Sequence, residues 1–209
     1  MTVVAIDGPA GAGKSTVSKA LAARLGLEYL DTGAMYRAVT FGVLRRGVAP
    51  SDVVTVGDLV DQIEVEVSAG GVVVDGVDAT VAIRGREVTD AVSAVAANQR
   101  VRDVLVERQR AWVAERGGGV VEGRDITTVV LPDADLKLFV TASPRVRAER
   151  RVAELGGDVT EIEASIIERD RRDSTREASP LTRSEAATVI DTSEMSIDEV
   201  VATVIAMVG

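Results

Sequence analysis

The chain has 209 residues, 46% hydrophobic and 27% charged, a composition that predicts a globular protein with ample core rather than a disordered segment. At about 150 residues per domain, this length predicts one compact domain over residues 1–209 with an insertion. The net charge of −9 disfavours a general nucleic-acid or membrane-surface binder, and the absence of Cys and His excludes disulfides, thiol nucleophiles, Ser-His-Asp triads and imidazole bases.

The chain begins with alternating strand and helix patterns. Val3–Ile6 is a short apolar run typical of a buried strand, and helical spacing then starts at Lys14 and stops at Gly26. Leu27–Leu30 is long enough only for a strand, and Ala34–Arg46 is again helical. This alternation predicts an α/β fold with a parallel sheet and crossover helices.

Three closely spaced strand patterns then interrupt the alternation. Ile63–Val67 alternates apolar and acidic residues, which indicates a strand with one face in water. Gly71–Asp75 and Val77–Ile83 follow at short spacing after glycine-containing turns. The pattern predicts a small antiparallel insert, within residues 57–97, rather than a continuation of the parallel sheet.

The second half of the chain returns to long helices separated by single strands. One helix is predicted from Glu87 to Arg116, ended by the glycines 117–119. Ser196 and Glu199 have the spacing of a capping box at the start of the last helix. The other predicted elements are strands at Val120-Val121, Leu136–Val140 and Val189–Asp191 and an Arg- and Glu-rich helical region, Pro144 to Arg176, interrupted at Gly156-Gly157.

A phosphate-binding loop is predicted between the first strand and the first helix, where G-x-x-x-x-G-K-[ST] is matched in full. Glycines let backbone N–H groups curl around a phosphate, and the helix N-terminus adds positive partial charge. Lys14 reaches the β- and γ-phosphates in this motif, the Ser15 hydroxyl can ligate Mg²⁺, and Thr16 contacts the α-phosphate or caps the helix. The predicted nucleotide-binding residues are Gly8, Pro9, Ala10, Gly11, Ala12, Gly13, Lys14, Ser15 and Thr16.

Arginines follow two predicted strands at the sheet edge where ligands of open α/β sheets bind. Arg37 lies one turn into the helix after the Leu27–Leu30 strand, and Arg124 comes directly after Val120-Val121. Arginine suits bidentate capture of phosphate, so the pair indicates a second anion site, although a single arginine of this kind is often a solvated surface residue. The guanine-reading tetrapeptide N/T-K-x-D of GTP switches is absent from the sequence.

Five segments, in this order, resemble the bacterial cytidylate (CMP) kinases, a family of P-loop nucleoside-monophosphate kinases: I-D-G-P-A-G-A-G-K-S-T, D-T-G-A-M-Y-R, V-A-A-N-Q-R-V-R, E-G-R-D-I-T-T-V-V and E-R-D-R-R-D-S-T-R-E-A-S-P-L. The resemblance runs from Val3 to the last helix. It implies a three-layer α/β/α P-loop NTPase fold with a central parallel sheet, a three-stranded antiparallel insert that binds the monophosphate, and a short helical lid at residues 143–172. It also implies Mg²⁺-assisted, in-line transfer of the γ-phosphoryl group of ATP to CMP or dCMP.

The same resemblance implies a role for each candidate residue. Arg37, Arg124, Thr32 and Asp125 belong to the acceptor-phosphate site. Cytosine is held by Arg100, Ser93 and Arg176, while Arg169 and Asp173 contact the ribose and the transferring phosphates. Arg147, Arg150 and Arg151 lie on the lid over the ATP phosphates, and the segment 191–193 passes near adenine. The implied catalytic set is Lys14, Arg124, Arg169, Arg147, Arg150 and Arg151.

One position departs from the family pattern. The family often has Asp where this chain has Glu122, directly after a predicted buried strand. An acidic group at such a position is the usual water-mediated partner of Mg²⁺, and glutamate is one methylene longer. The sequence leaves open whether Glu122 or Asp7 organises the shell around the metal.

The implied reaction suits a chain without histidine. The acceptor is a phosphate monoester whose second pKa is about 6, so it is ionised at neutral pH and needs no general base. Alternatives are a P-loop kinase for UMP or for a small metabolite, and a nucleotide-binding regulatory module without transfer activity. The regulatory module has no need of a second phosphate site.

The sequence also carries expectations about location and assembly. No stretch reaches the ~20 apolar residues of a membrane span, and Asp7 and Lys14 interrupt the pattern of a signal peptide. We therefore expect a cytoplasmic protein that binds ATP and CMP or dCMP and neither nucleic acid nor a membrane. A monomer is expected because no long exposed apolar face stands out.

Overall fold

A computed structural model describes residues 2–68, 70–175 and 179–208. Strands and helices alternate along most of this length, as the sequence predicts. Within the described residues the elements are β1 (Thr2–Asp7), α1 (Lys14–Leu25), β2 (Tyr29–Asp31), α2 (Thr32–Arg45), α3 (Val53–Leu59), β3 (Val65–Ser68), β4 (Gly71–Val74), β5 (Val77–Asp78), α4 (Arg86–Ala97), α5 (Gln99–Arg116), β6 (Gly118–Gly123), β7 (Leu136–Thr141), α6 (Pro144–Leu155), α7 (Val159–Thr175), β8 (Thr188–Asp191) and α8 (Ile197–Val208).

The larger sheet has five strands in the order β2-β6-β1-β7-β8. β1 runs parallel to β6 and to β7, and β7 runs parallel to β8. β1 is buried from Val3 to Asp7, because a strand in the middle of such a sheet is covered on both faces and its apolar run is continuous. The predicted central parallel sheet is confirmed. Its register places Gly123 beside Asp7, so the chain segments that follow β6 and β1 emerge side by side.

A hydrophobic core covers one face of this sheet. Ile6 of β1 and Leu138 of β7 pack in the same cluster as Leu21 of α1 and Val204 of α8, and all four are fully buried. Burial of each such side chain contributes roughly 1.5–3 kcal/mol. This packing fixes α1, and with it the loop that precedes α1, against the middle of the sheet.

The capping box at the last helix is confirmed. The N–H of Ser196 donates to Oε2 of Glu199 at 2.8 Å, and the N–H of Glu199 donates to Oγ of Ser196 at 3.3 Å. Two groups that a helix start would otherwise leave without partners are therefore satisfied reciprocally.

The small antiparallel sheet is confirmed, in the order β3-β4-β5. The predicted third strand, Val77–Ile83, is wrong beyond Asp78, because the chain bends there. Oδ1 of Asp78 accepts from the N–H of Thr80, and a 3₁₀ turn follows at Ala82–Arg84. These local hydrogen bonds replace a strand ladder, and Ile83 is buried as part of the turn.

The single helix predicted from Glu87 to Arg116 is wrong, since it is broken at Asn98. Asn98 has an extended backbone, and its Oδ1 accepts from the N–H of Arg100 at 3.0 Å and of Val101 at 3.3 Å. Asparagine at this position therefore caps α5. Two further elements, α3 and the π-helical turn at Ile126–Val130, were not predicted from the sequence, and two glycines expected to end a helix belong to β6.

The described residues divide into two compact units. The terminal unit contains the chain up to Tyr29 and from Arg116 onwards, and the middle unit is Leu30–Glu115. In the described part of the chain, none of the helices combines the length with the apolar composition that crossing a membrane requires.

Candidate active site

The loop between β1 and α1 has a backbone that glycine alone accommodates at two points. At Gly8 the φ angle is 148°, and a Cβ there would collide with the carbonyl oxygen of Val140. Gly13, with φ of 84°, is the N-terminal cap of α1 and makes no side-chain cap. The backbone therefore curls closely around the start of α1, where N–H groups and the helix dipole favour an anion.

Lys14 is the first residue of α1, and its side chain bends back over the loop. Its Nζ donates to the carbonyl oxygen of Pro9 at 2.9 Å. This places the ammonium group above the loop backbone, the position from which a lysine contacts phosphates bound in such a loop. Ser15 and Thr16 are exposed on the same helical turn.

Glu122 of β6 joins the loop through Ser15. Oε1 of Glu122 accepts hydrogen bonds from Oγ of Ser15 at 2.6 Å and from the hydroxyl of Tyr29 at 2.5 Å. Only 3% of Glu122 is exposed. One hydroxyl and one carboxylate at the mouth of a phosphate loop are hard oxygen donors, which Mg²⁺ prefers.

The donor set fits a metal that arrives with the nucleotide. In residues 2–68, 70–175 and 179–208, no group of three or more acidic side chains could hold a metal ion. Mg²⁺ in kinases is bound by one or two protein oxygens and completes its shell with water and substrate phosphates. Ser15 and Glu122 meet that requirement.

Asp7 is committed to the fold instead. Its side chain is fully buried, with Oδ1 accepting from the N–H of Ile126 at 2.8 Å and Oδ2 accepting from the N–H and hydroxyl of Thr127 at 2.7 and 2.6 Å. Burial raises the pKa of Asp7, and the hydrogen bonds from Thr127 and Ile126 oppose that shift. Asp7 therefore anchors the π-helical turn, and Glu122 is the acidic group that contacts Ser15.

The substitution Asp7→Ala is expected to lower the free energy of unfolding by about 3 kcal/mol, because it leaves two buried N–H groups and one buried hydroxyl without an acceptor. Thr127→Val removes a single hydroxyl partner and is expected to cost about 1 kcal/mol. Urea unfolding followed by circular dichroism measures both values. A loss below that of Thr127→Val would contradict the anchoring role of Asp7.

Arg124 lies beside the loop because β6 and β1 are adjacent and in register. Its Nη1 donates to the carbonyl oxygen of Gly8 at 3.0 Å, and its Nη2 lies 3.1 Å from Oδ2 of Asp173. Burial lowers the pKa of Arg124 and the charge of Arg169 adds to that effect, while Asp173 opposes it. The guanidinium is thus a desolvated cation near the loop, a setting that favours an anionic ligand.

α7 supplies the other charged groups of this cluster. Arg169 is close enough to act on Arg124 electrostatically, and its Nε is buried without a hydrogen-bond partner among the described residues. Asp173 is 7% exposed, and its carbonyl oxygen accepts from the N–H of Leu181 at 2.8 Å. The structure therefore brings Arg124, Arg169 and Asp173 together at the carboxyl edge of the sheet.

Two of the three predicted lid arginines hold backbone atoms. Arg147 is 3% exposed, and it donates to the carbonyl oxygens of Ala142 at 2.9 Å and Ala10 at 3.1 Å while its Nη2 lies 2.7 Å from Oδ2 of Asp170. Arg147 therefore connects α6 and α7 to the phosphate loop rather than pointing into solvent.

Arg150 makes a similar link on the other side of the loop. Its two Nη atoms donate to Oγ1 of Thr192 at 3.1 Å and to the carbonyl oxygen of Thr192 at 2.6 Å. Oγ1 of Thr192 in turn lies 3.1 Å from the carbonyl oxygen of Ala12. The segment after β8 thus lies against the loop. Arg151 is exposed.

A pocket of about 430 Å³ opens beside the loop in the terminal unit. Pro9 of the loop, Arg147 of α6 and Asp170 of α7 line one part of it, and Phe139 and Leu181 line another. The region between the loop and the predicted lid helices therefore has concave space with both charged and apolar walls.

The middle unit carries the other candidate residues. Nη1 of Arg37 donates to the carbonyl oxygen of Ile83 and to Oγ1 of Thr89, each at 2.9 Å. Nη2 of Arg100 lies 2.5 Å from Oδ2 of Asp61, and both side chains are more than half exposed. Each arginine is thus oriented by acceptors within the middle unit.

The remaining candidates differ in exposure. Thr32 is 3% exposed at the start of α2, and Asp125 is 4% exposed before the π-helical turn. Ser93 lies half-buried on α4. Arg176, predicted to hold cytosine, lies outside the described residues.

Two residues of the site, Tyr29 and Asp170, were not predicted from the sequence, although they orient Glu122 and Arg147. Tyr29 was visible only as part of an expected strand, and Asp170 as one charge in the Arg- and Glu-rich helical region. Their partners, Glu122 and Arg147, lie more than 20 positions away in the sequence, and no local sequence pattern predicts such a contact.

Comparison with known protein families gives a match over nearly the whole chain. Residues 4–209 match the family model described as cytidylate kinase. The chain is 50% identical to the cytidylate kinase of Corynebacterium efficiens over 95% of its own length and 90% of that protein, and 49% identical to that of Mycobacterium leprae, with coverages of 96% and 92%.

Other relatives are longer than this chain. It is 52% identical, over 97% of its length, to the bifunctional pantoate ligase/cytidylate kinase of Prochlorococcus marinus strain MIT 9303, of which it covers 44%. The chain thus spans less than half the length of such bifunctional relatives.

Solved structures support the fold. A shikimate kinase from Bacteroides thetaiotaomicron superposes with a TM-score of 0.51 and 13% identity, over 99% of this chain and 98% of that one. A gluconokinase from Sinorhizobium meliloti gives a TM-score of 0.51 and 16% identity, over 98% of this chain and 90% of that one. At such identities the likeness concerns the P-loop kinase fold alone.

Proposed function

Because the chain belongs to the cytidylate kinase family, we propose that it transfers the γ-phosphoryl group of ATP to CMP, giving CDP and ADP. The observation that best supports the proposal is the contact between Arg124 and the phosphate loop, where its guanidinium donates to the Gly8 carbonyl. A kinase whose acceptor is itself a phosphate must bind a second anion beside the loop that binds ATP, and this requires positively charged side chains there. Arg124 and Arg169 supply these charges.

The chemistry asks for positioning and charge stabilisation rather than for a base. The acceptor phosphate is ionised at neutral pH, so no proton has to be removed from it. Lys14 and the Arg124–Arg169 pair stabilise the negative charge that spreads over the transferring phosphoryl group. Ser15 and Glu122 would hold Mg²⁺ at the loop, and the ion would supply charge neutralisation for the phosphates of the bound nucleotide.

The roles of individual residues follow the family resemblance. In the terminal unit, Asp125 joins Arg124 in binding the acceptor phosphate, and Asp173 contacts the ribose. In the middle unit, Arg37 and Thr32 serve the acceptor phosphate. Ser93, Arg100 and Arg176 bind cytosine, and residues 57–97 form the CMP-binding insert, which accepts dCMP as well.

The segment 143–172 is proposed to act as the lid of a single kinase domain. A closed lid keeps water from the γ-phosphate, which would otherwise be lost to hydrolysis. Arg147, Arg150 and Arg151 belong to this segment. Arg147 donates to the carbonyl oxygen of Ala10 in the loop, and Arg150 donates to Oγ1 of Thr192, which itself lies 3.1 Å from the carbonyl oxygen of Ala12. These contacts link the segment to the loop that would bind the donor phosphates.

An acceptor panel tests the proposed substrate. We expect the purified chain, supplied with ATP and Mg²⁺, to form ADP only when CMP or dCMP is added, and not with UMP, AMP or shikimate at equal concentration. Equal rates with AMP or shikimate would contradict the substrate assignment. Tight ATP binding without turnover of any acceptor would support a regulatory module instead.

A further inference from the structure

Tyr29 makes a contact to which the proposed function assigns no role. It is the first residue of β2, and its hydroxyl donates to Oε1 of Glu122, the oxygen that also accepts from Ser15. Its ring packs at the border of the hydrophobic core, and Nζ of Lys19 lies 5.7 Å from the ring centroid. The ring is therefore held by packing, while the hydroxyl contacts the carboxylate that reaches the phosphate loop.

Tyr29 gives the carboxylate of Glu122 a second donor besides Ser15. A glutamate side chain has three rotatable bonds, and a carboxylate held by one donor alone can rotate about that contact. Two donors on the same oxygen, Ser15 from α1 and Tyr29 from β2, approach from different elements and fix the carboxylate between them. Glutamate is one methylene longer than the aspartate frequent in this family. Its side chain therefore has one more rotatable bond, and more conformational freedom must be restricted before the carboxylate is fixed.

The hydrogen bond also sets the orientation of the Ser15 hydroxyl. A serine hydroxyl has one proton and two lone pairs. When the proton is donated to Glu122, the lone pairs remain available to a metal ion at the loop. A carboxylate that swings away would leave the hydroxyl free to rotate, and its oxygen would no longer be presented in a fixed direction.

We propose that Tyr29 is a positioning residue for magnesium binding, acting through Glu122 on Ser15. The inference rests on the nucleotide site of the proposed function but is independent of the identity of the acceptor. This role requires no contact of Tyr29 with the metal or the phosphates. It holds the carboxylate that orients the serine hydroxyl.

The test is the substitution Tyr29→Phe, which keeps the ring and removes only the hydroxyl. Isothermal titration calorimetry measures the affinity of the full chain for a non-hydrolysable ATP analogue with an imido β–γ bridge, with and without Mg²⁺. We expect the gain in affinity that Mg²⁺ produces to fall about tenfold in Tyr29→Phe, while the metal-free affinity changes by less than about twofold.

Two further variants make the result specific. Lys19→Ala removes the cation next to the same ring without touching the hydroxyl, and it is expected to leave the Mg²⁺-dependent gain unchanged. Glu122→Gln alone should reduce the gain in affinity that Mg²⁺ produces. The double variant Tyr29→Phe/Glu122→Gln should show the same reduced gain as Glu122→Gln, because Tyr29 acts through the carboxylate.

An unchanged Mg²⁺-dependent gain in affinity in Tyr29→Phe would overturn the inference. If the melting temperature of that variant were also lowered, the role of Tyr29 would be limited to packing. Independent, additive effects of Tyr29→Phe and Glu122→Gln would overturn it as well. Since calorimetry uses no CMP, a failure of the inference leaves the proposed kinase function intact, and a failure of the acceptor panel leaves the calorimetric result interpretable.

Discussion

Lys14→Ala is expected to lower kcat by about three orders of magnitude, the largest effect of any single substitution in this chain. The ammonium group lies over the phosphate loop, 2.9 Å from the Pro9 carbonyl oxygen. In the transition state, negative charge builds on the β–γ bridge and the γ-phosphoryl oxygens, and a cation held in place stabilises it without reorganisation. A thousandfold loss corresponds to about 4 kcal/mol of transition-state stabilisation.

Single-turnover and steady-state assays with saturating ATP and CMP measure this loss. The matched control is Lys19→Ala on the same helix, an exposed lysine outside the loop, which is expected to retain the wild-type kcat. The melting temperature of Lys14→Ala should stay close to that of the wild type, since its side chain contributes no core packing. A Lys14→Ala enzyme within tenfold of the wild-type kcat would contradict the role of this lysine.

Arg124→Ala is expected to raise KM for CMP by about tenfold and to lower kcat by about a hundredfold. The Arg124 side chain lies beside the loop and is only 18% exposed, so its removal takes away a largely desolvated positive charge. It also leaves the carboxylate of Asp173 without the arginine 3.1 Å away. Arg124→Lys keeps the charge but cannot reach both Gly8 and an anion with two parallel N–H groups, and it should recover only part of the activity.

Steady-state kinetics with both substrates varied, together with the dissociation constant of ATP, separate the effects on the two ligands. ATP affinity should change by less than about threefold, and the exposed Arg171→Ala on α7 should behave as the wild type. Normal CMP kinetics with weakened ATP binding would contradict the assignment. That outcome would limit Arg124 to supporting the loop through the Gly8 carbonyl.

The local motifs of the chain could be predicted because each depends on neighbouring residues. The loop from Gly8 to Ser15 combines glycine conformations, a helix start and a lysine within eight positions. The capping box at Ser196 needs only three-residue spacing, and the apolar run of β1 follows from burial on both faces. Such features depend on sequence patterns of short range.

The errors of prediction lie where a polar side chain bonds to the backbone. Nothing in the apolar spacing of residues 87–116 shows that Asn98 caps a new helix, since the side-chain hydrogen bonds decide it. The strand expected after Val77 fails for the same reason at Asp78. In both places a short polar side chain competes with the regular backbone ladder.

The connections within the site could not be predicted because they join distant segments. Glu122 is 93 positions from Tyr29 and 107 from Ser15, and Arg147 is 137 from Ala10. The sequence shows which residues carry charge, but the sheet order and register determine which of them meet. Arg147 illustrates the difference, since an arginine of a predicted lid is almost fully buried and donates to the carbonyl oxygens of Ala142 and of Ala10 in the loop.

The net charge of −9 does not conflict with the binding of two polyanions. Exposed carboxylates more than about 10 Å away are largely screened at physiological salt, whereas partly buried cations close to the ligand are screened much less. Arg124 and Lys14 therefore determine the local field at the loop. Activity should consequently depend on these side chains far more than on the total charge of the surface.

Label transfer is the most direct measurement of the proposed reaction. ATP labelled with ³²P at the γ position is incubated with the purified chain, Mg²⁺ and CMP, and the nucleotides are separated by chromatography. We predict that the label appears in CDP in a one-to-one ratio with the ADP formed. Label released as inorganic phosphate at the same rate with and without CMP would contradict the proposed transfer.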